Sequence, residues 1–320
     1  MNYNQYLQNS KNEKIKLLFD KTFKTPVLFL IFNRPDTTKK VFSSIREAKP
    51  PRLYIAADGP RKNNLNDKKN CMIVRSIASK VDWDCDVKTL FINQNLGCRL
   101  AVSQGINWFF EHEPEGIILE DDCLPSQSFF IFCQQMLEQF RNDKRIGAVC
   151  GFYSNEKDYK PKSSYFISRY LRVWGWAGWR RTIKNYDSNL KKMIKKNDNW
   201  QDNIFERSDI LLKKYFQKAF DQVADGKIDT WDTQLQYLLW QKKQNVVISS
   251  NNLIKNLGAD GAHAKTKDHN HELPISEIEF PLIGPENLKR DTNADKQIEL
   301  KSYKISKLSF LKNQLKKIVS

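Results

Sequence analysis

The sequence predicts an α/β protein on a mostly parallel sheet flanked by helices, with an elaborated second half. Three observations predict it. Short apolar runs alternate with segments of helical periodicity from Thr25 to about Asp143. Each apolar run ends in a polar turn. The 320 residues, 40% hydrophobic and 12% aromatic, suffice for one large core.

The first run, "PVLFLIF" (Pro26 to Phe32), reads as a buried strand that stops at Asn33-Arg34-Pro35-Asp36, and "TTKKVFSSIREA" follows with helical spacing. "RLYIAADGP" reads as a strand closing in a turn at Asp58-Gly59-Pro60, and "DVKTLFINQN" as another. "LGCRLAVSQGINWFFEH" is a helix, "GIILE" a fourth strand and "SQSFFIFCQQMLEQFRND" its helix. "RIGAVCGF" (Arg145 to Phe152) is a further strand, after which the rhythm changes. Tyr153 to Arg181 is rich in aromatics and turn residues, and "DTWDTQLQYLLWQKK" is a helix starting near Asp229 or Thr230. With no Ser/Gly linker and no internal repeat, the expected organisation is a basic extension over 1–24, one domain over 25–290 and a basic tail over 291–320.

Lys and Arg number 53 against 37 Asp and Glu, a formal charge of +16, which favours anionic partners such as phosphorylated small molecules, anionic lipid or nucleic acid. The lysines are spread along the chain and concentrated at its tails, without a reading motif, so no specific nucleic acid is expected. Six cysteines show no C-x-x-C pair and none stands near a histidine at metal-site spacing, which argues for packed thiols in a reducing compartment. No apolar run approaches the roughly 20 residues of a membrane span, and the N-terminus lacks a signal-peptide core. The expectation is a cytoplasmic protein, peripheral on the inner face of the membrane if the final segment, Lys301 to Ser320, lies on anionic lipid as a basic amphipathic helix. That composition equally fits a solvated tail.

In an open parallel sheet the ligand crevice lies beyond the carboxyl ends of the strands. Three polar clusters fall there: Asn33 to Asp36, Asp58-Gly59, and Glu120-Asp121-Asp122. Adjacent carboxylates at a strand end suit a hard divalent cation shared with substrate phosphates, though alone they also fit a turn that caps the next helix. Asp58 can accept from the N–H of a uracil ring or merely make a turn, and Arg34 can pair with a diphosphate or with Asp36. Asp232 in "KIDTWDTQ" falls in a helix's first turn, where the macrodipole favours its ionised form, so it is the candidate general base, with Asp229 as competitor. In "RVWGWAGWRR", Trp176 and its neighbours fit either core or a wall against which a sugar stacks. His263, in the turn-rich "NLGADGAHAKTKDHNH", is a candidate metal ligand or diphosphate contact, or a plain surface residue.

Taken in order, "NRPD", "ADG", "NLGCRLAVSQGINWFF", "LEDD" with its "FF" helix, "WGWAGW" and "TWDTQ" resemble glycosyltransferases of the GT-A fold. The likeness is to bacterial sugar transferases related to eukaryotic N-acetylglucosaminyltransferase I, in the nucleotide-diphospho-sugar transferase superfamily, and it runs from Thr25 to about His263. The resemblance implies a GT-A, Rossmann-like fold, a nucleotide-sugar donor carrying uridine diphosphate, and a divalent metal, manganese or else magnesium. It further implies inversion and an acceptor hydroxyl on a surface glycan, such as lipopolysaccharide, or on a lipid-linked saccharide. By position Asp122 would ligate the metal, with His263 as a second ligand on a loop that matches only loosely. Glu120 and Asp121 would orient the donor sugar and ribose, Asp58 would hold the uracil, Arg34 the nucleotide or diphosphate, Trp176 would border the sugar, and Asp232 would be the base. The competing expectations are a nucleotidyltransferase that makes a nucleotide-sugar, for which "FNRPDTTKK" lacks a glycine-rich phosphate loop, and a non-catalytic basic binding protein.

Overall fold

The structure, a computed structural model, describes residues 23–196, 200–206, 209–258 and 273–305. The fold class is as the sequence predicts. Eight strands form one sheet in the order β3-β2-β1-β4-β8-β6-β9-β7. They are β1 (Val27–Ile31), β2 (Arg52–Ala57), β3 (Asp86–Phe91), β4 (Glu115–Glu120), β6 (Ile146–Cys150), β7 (Tyr165–Ser168), β8 (Trp176–Trp179) and β9 (Asn245–Ser249). A two-stranded ribbon pairs β5 (Cys123–Pro125) with β10 (Ile254–Asn256).

The strands β3, β2, β1 and β4 are mutually parallel. Their apolar runs are continuous because both faces are covered. Val27, Phe29 and Ile31 pack with helices α1 (Pro35–Ala48) and α4 (Gln127–Phe140), through residues such as Phe42 and Phe129. Leu28 and Leu30 turn to the other face and meet Ile106 and Phe109 of α3 (Cys98–His112). The period of two along β1 thus serves two cores at once.

Helix α2 (Leu65–Ala78), between β2 and β3, is one that the sequence reading passed over. Only Asp67, Cys71, Val74 and Ala78 are buried in it, a face too narrow to stand out.

The second half departs most from expectation. Within the aromatic and turn-rich segment "WAGW" forms a strand: β8 lies inside the sheet, antiparallel to both β4 and β6. It therefore joins the two halves into one sheet. Gly116 pairs with Gly178 in the ladder, and glycine is needed at Gly116 because a Cβ would come within 2.3 Å of the Phe109 ring, which α3 lays over the strand. Further helices follow in order: α5 (Arg180–Ile183), α6 (Leu190–Lys195), α7 (Trp200–Ile204), α8 (Ile210–Ala224), α9 (Asp232–Gln241) and α10 (Thr292–Gln297). Residues 291–305 rest on the body: Asp295 accepts from Ser168 Oγ at 2.6 Å and from Arg290 Nε at 2.9 Å, and the Tyr303 ring sits 5.2 Å from that of Phe216. Residues 306–320 lie outside the described residues, and with them most of the segment read as an amphipathic tail. Among the described residues no helix is long and apolar enough to cross a membrane.

Candidate active site

Chain order runs outward from β1 to β2 to β3, then returns to place β4 on the other side of β1. That reversal is a topological switch point, where α/β sheets open a crevice beyond the strand ends. The connection after β1 carries Phe32, Asn33 and Arg34; the exit of β4 carries Glu120, Asp121 and Asp122. Two of the three sequence clusters are thereby brought together. The pairing is local and firm: Leu30 lies opposite Glu120 in the ladder, and Phe32 N–H donates to Asp121 Oδ2 at 3.0 Å.

Arg34 reaches across the crevice. Its Nη1 donates to Asp122 Oδ2 at 2.5 Å and stands 3.9 Å from Asp121 Oδ1. The other oxygen of Asp122, Oδ1, accepts from the Cys123 thiol at 3.4 Å, and its backbone carbonyl accepts from Leu257 N–H at 2.7 Å. A side chain at Gly258 would bring a Cβ to 2.4 Å from Asp122 Oδ2, so glycine is what lets the chain pass over this carboxylate. His263 lies a few residues on, outside the described residues.

Asp232 enters from the far half. It lies in the first turn of α9, as the sequence predicts, although the helix starts at Asp232 itself and not near Asp229 or Thr230. Trp231 just before it stacks on Trp176, with centroids 6.1 Å apart and planes at 25°, while its carbonyl accepts from Tyr186 Oη at 2.8 Å. The Asp232 oxygens are unequally used: Oδ1 accepts from the Thr230 hydroxyl and from Thr233 N–H, and among the described residues no donor reaches Oδ2. Its competitor Asp229 faces Arg99 Nε at 3.5 Å and is half exposed.

The electrostatics follow from crowding. Glu120 keeps some accessible surface, yet dense protein surrounds it. Its carboxyl is pushed well above the usual carboxylate range by desolvation first, then by the charges of Asp122, Asp121 and Asp232. Asp121, 7% exposed, is pushed up to about 7 by burial and by Asp122. Arg34 is the only cation among the leading influences on these two groups, so the crevice holds more negative than positive charge. Hard carboxylate oxygens in excess fit a divalent cation chemically. Among the described residues no three His, Cys, Asp or Glu side chains converge to hold a metal by themselves. A cation here would complete its shell from a bound ligand, as magnesium commonly does with phosphates.

Asp58 has a task the sequence did not disclose. Its carboxylate accepts from the N–H groups of Gly59 (2.8 Å), Leu96 (2.9 Å) and Gly97 (3.2 Å) and from Asn95 Nδ2 (2.8 Å). It thereby fixes the loop leading into α3, where Gly97 adopts φ of 80°, in the left-handed region. Burial nevertheless holds its carboxyl above the usual range, against the pull of those donors. Trp176 is 1% exposed at the centre of the sheet, so it underlies the crevice as core instead of forming its wall; the reason is the position of β8 between β4 and β6.

Asp67 is a positioning residue that the sequence reading missed. It accepts from Asn33 Nδ2 at 2.7 Å and from Arg61 Nε and Nη2 at 2.5 and 2.9 Å, tying the turn after β1 to the one after β2. The Arg61 contact, reinforced by Asn33, pulls its carboxyl down to about 2. A lowered folded-state value contributes stability that is present above the unfolded value of about 3.9 and lost as pH falls through the folded one. Asp67→Asn should therefore cost about 1–2 kcal/mol near neutrality, a figure reduced because Arg61 is half exposed, and the difference should shrink toward about pH 2–3. Urea midpoints of both proteins at the two pH values check this; a gap independent of pH contradicts it.

No protein-family model matches the chain, and no curated protein does. Among solved structures, UDP-glucose pyrophosphorylase complexed with UDP-glucose aligns at 10% identity over 71% of this chain and 90% of its own, with a TM-score of 0.34. A 4-diphosphocytidyl-2C-methyl-D-erythritol synthase from Anaerococcus prevotii aligns at 10% identity over 64% and 85%, with a TM-score of 0.33. HddC from Yersinia pseudotuberculosis aligns at 8% over 51% and 80%, with a TM-score of 0.31. At these identities and scores the likeness assigns nothing to this chain.

Proposed function

We propose that the chain is a metal-dependent glycosyltransferase, moving a sugar from a nucleoside diphosphate, in the first place uridine diphosphate, to a hydroxyl of a glycan or lipid-linked saccharide with inversion. The observation that carries this reading is the meeting, at one switch point, of three consecutive carboxylates with a differently anchored fourth, Asp232, from the far half of the chain. The reaction divides its labour in that way. At the donor's anomeric carbon the nucleoside diphosphate departs from one face and needs positive charge beside it, while the acceptor hydroxyl attacks the opposite face and must lose a proton.

A divalent ion, manganese or magnesium, held by Asp122 together with the donor's phosphates would neutralise charge on the departing diphosphate. Asp122 is the ligand of choice because Glu120 and Asp121 are the more deeply embedded carboxyls. In this reading those two orient the donor's sugar and ribose hydroxyls. Arg34 pairs with the diphosphate in the same reading, and Asp58 acts through the loop leading into α3, which it fixes. Asp232, with Oδ1 tethered and Oδ2 open, accepts the proton of the attacking hydroxyl.

The short connection after β1 favours this reading over nucleotidyl transfer. Three residues, Phe32 to Arg34, separate β1 from α1, none is glycine, and Pro35 opens the helix. A phosphate-cradling loop of glycines has no room there. The test is thermal unfolding with nucleoside diphosphates and their sugars, with and without manganese. A uridine ligand at a hundredfold excess over its Kd should stabilise the fold by about 2.7 kcal/mol, and more strongly with the metal. If no nucleotide shifts the midpoint, the donor-site reading is wrong.

A further inference from the structure

We infer that Arg34 is an exchangeable cation, holding Asp122 in the free protein and passing to the donor's diphosphate when Asp122 takes a metal, so that diphosphate and metal bind as a coupled pair. This rests on the donor-site reading above and adds to it an order of events that no single residue shows.

The starting point is the Arg34–Asp122 contact at 2.5 Å, between side chains 29% and 18% exposed. Such a charge-assisted bond in a partly dehydrated crevice is worth more than a surface ion pair, and breaking it leaves each partner in need of a new one. A metal that arrives alone competes with Arg34 for Asp122 and sits beside a guanidinium of like charge. A diphosphate that arrives alone can draw on Arg34 only by leaving Asp122 unpaired beside Glu120, Asp121 and Asp232. When both arrive, the contact is broken once and both halves find opposite charge.

The root of Arg34 suits this exchange. It is the N-cap residue of α1, a helix of 14 residues whose first turn has no side-chain cap. An anion that draws the guanidinium away from Asp122 is thus held near the positive end of the helix dipole. Asn33, bound to Asp67, keeps the neighbouring backbone in place while the side chain of Arg34 swings.

The consequence is measurable as a coupling. The factor by which one ligand tightens the other is a linkage quantity, and a shared cost of breaking Arg34–Asp122 enters it directly. Mere loss of a positive charge acts differently: it strengthens manganese binding and weakens diphosphate binding, yet leaves the factor between them as it was.

The experiment is titration calorimetry of Mn2+ with and without saturating UDP, on the full chain, for the wild type, Arg34→Ala and Arg34→Gln. The second variant retains a neutral donor should the first disturb the fold. In the wild type UDP should tighten Mn2+ binding, and in both variants that tightening should fall at least about tenfold while Mn2+ alone binds more tightly. An unchanged factor in variants that bind both ligands overturns the exchange and leaves the donor site standing. A wild type that binds neither UDP nor Mn2+ overturns the donor site, and the exchange with it.

Discussion

Asp122→Asn is expected to lower metal-dependent turnover of a uridine diphosphate sugar by at least about a thousandfold, roughly 4 kcal/mol of transition-state stabilisation. The substitution is nearly isosteric. Asparagine can still accept from Arg34, and the backbone carbonyl that holds Leu257 is untouched, so the local fold should survive. What disappears is the anionic oxygen offered to a cation. Release of UDP from the sugar donor, with water or a saccharide as acceptor, is the readout, with circular dichroism to verify folding. A folded variant within tenfold of wild type removes Asp122 from the metal role.

Asp232→Asn is expected to cost about a hundredfold to ten-thousandfold, with the donor's KM nearly constant. The asparagine oxygen can take over the bonds from Thr230 and Thr233 that Oδ1 now accepts, leaving an amide nitrogen where Oδ2 stood. Geometry is preserved and basicity is lost. A rise in KM without a fall in kcat would mean that Asp232 binds substrate and takes no proton. Asp229→Asn is the natural companion, because the two carboxylates are three residues apart and only the base should matter this much.

The parts of the fold that could be read from sequence are those where one physical signal dominates. β1, β2 and β4 are buried on both faces, so each reads as an unbroken apolar run, and the polar residues at their exits mark the crevice. Helix α9 was legible, to within two or three residues at its start, because an acid in the first turn and the apolar "LLW" face agree. "WAGW" gave no strand signal because glycines ordinarily mark turns, whereas here Gly178 answers Gly116 across a ladder. No local pattern could show that. Within the site, Arg34 and Asp122 are 88 residues apart and Asp58 takes donors from residues 95–97, so both jobs depend on tertiary contact. The charge excess at Glu120 to Asp122 was legible in the sequence; that a single arginine answers it was not.

In the proposed function the crevice between β1 and β4 transfers a sugar from a nucleoside diphosphate. Its most direct test is product analysis of the purified full-length chain with manganese, given uridine diphosphate sugars in one reaction and UTP with sugar 1-phosphates in another. The expected result is metal-dependent appearance of UDP in the first reaction, abolished by Asp122→Asn, and no pyrophosphate in the second. Pyrophosphate from the second reaction without UDP from the first would contradict the account, and would make the protein an enzyme that builds nucleotide-sugars instead of one that spends them.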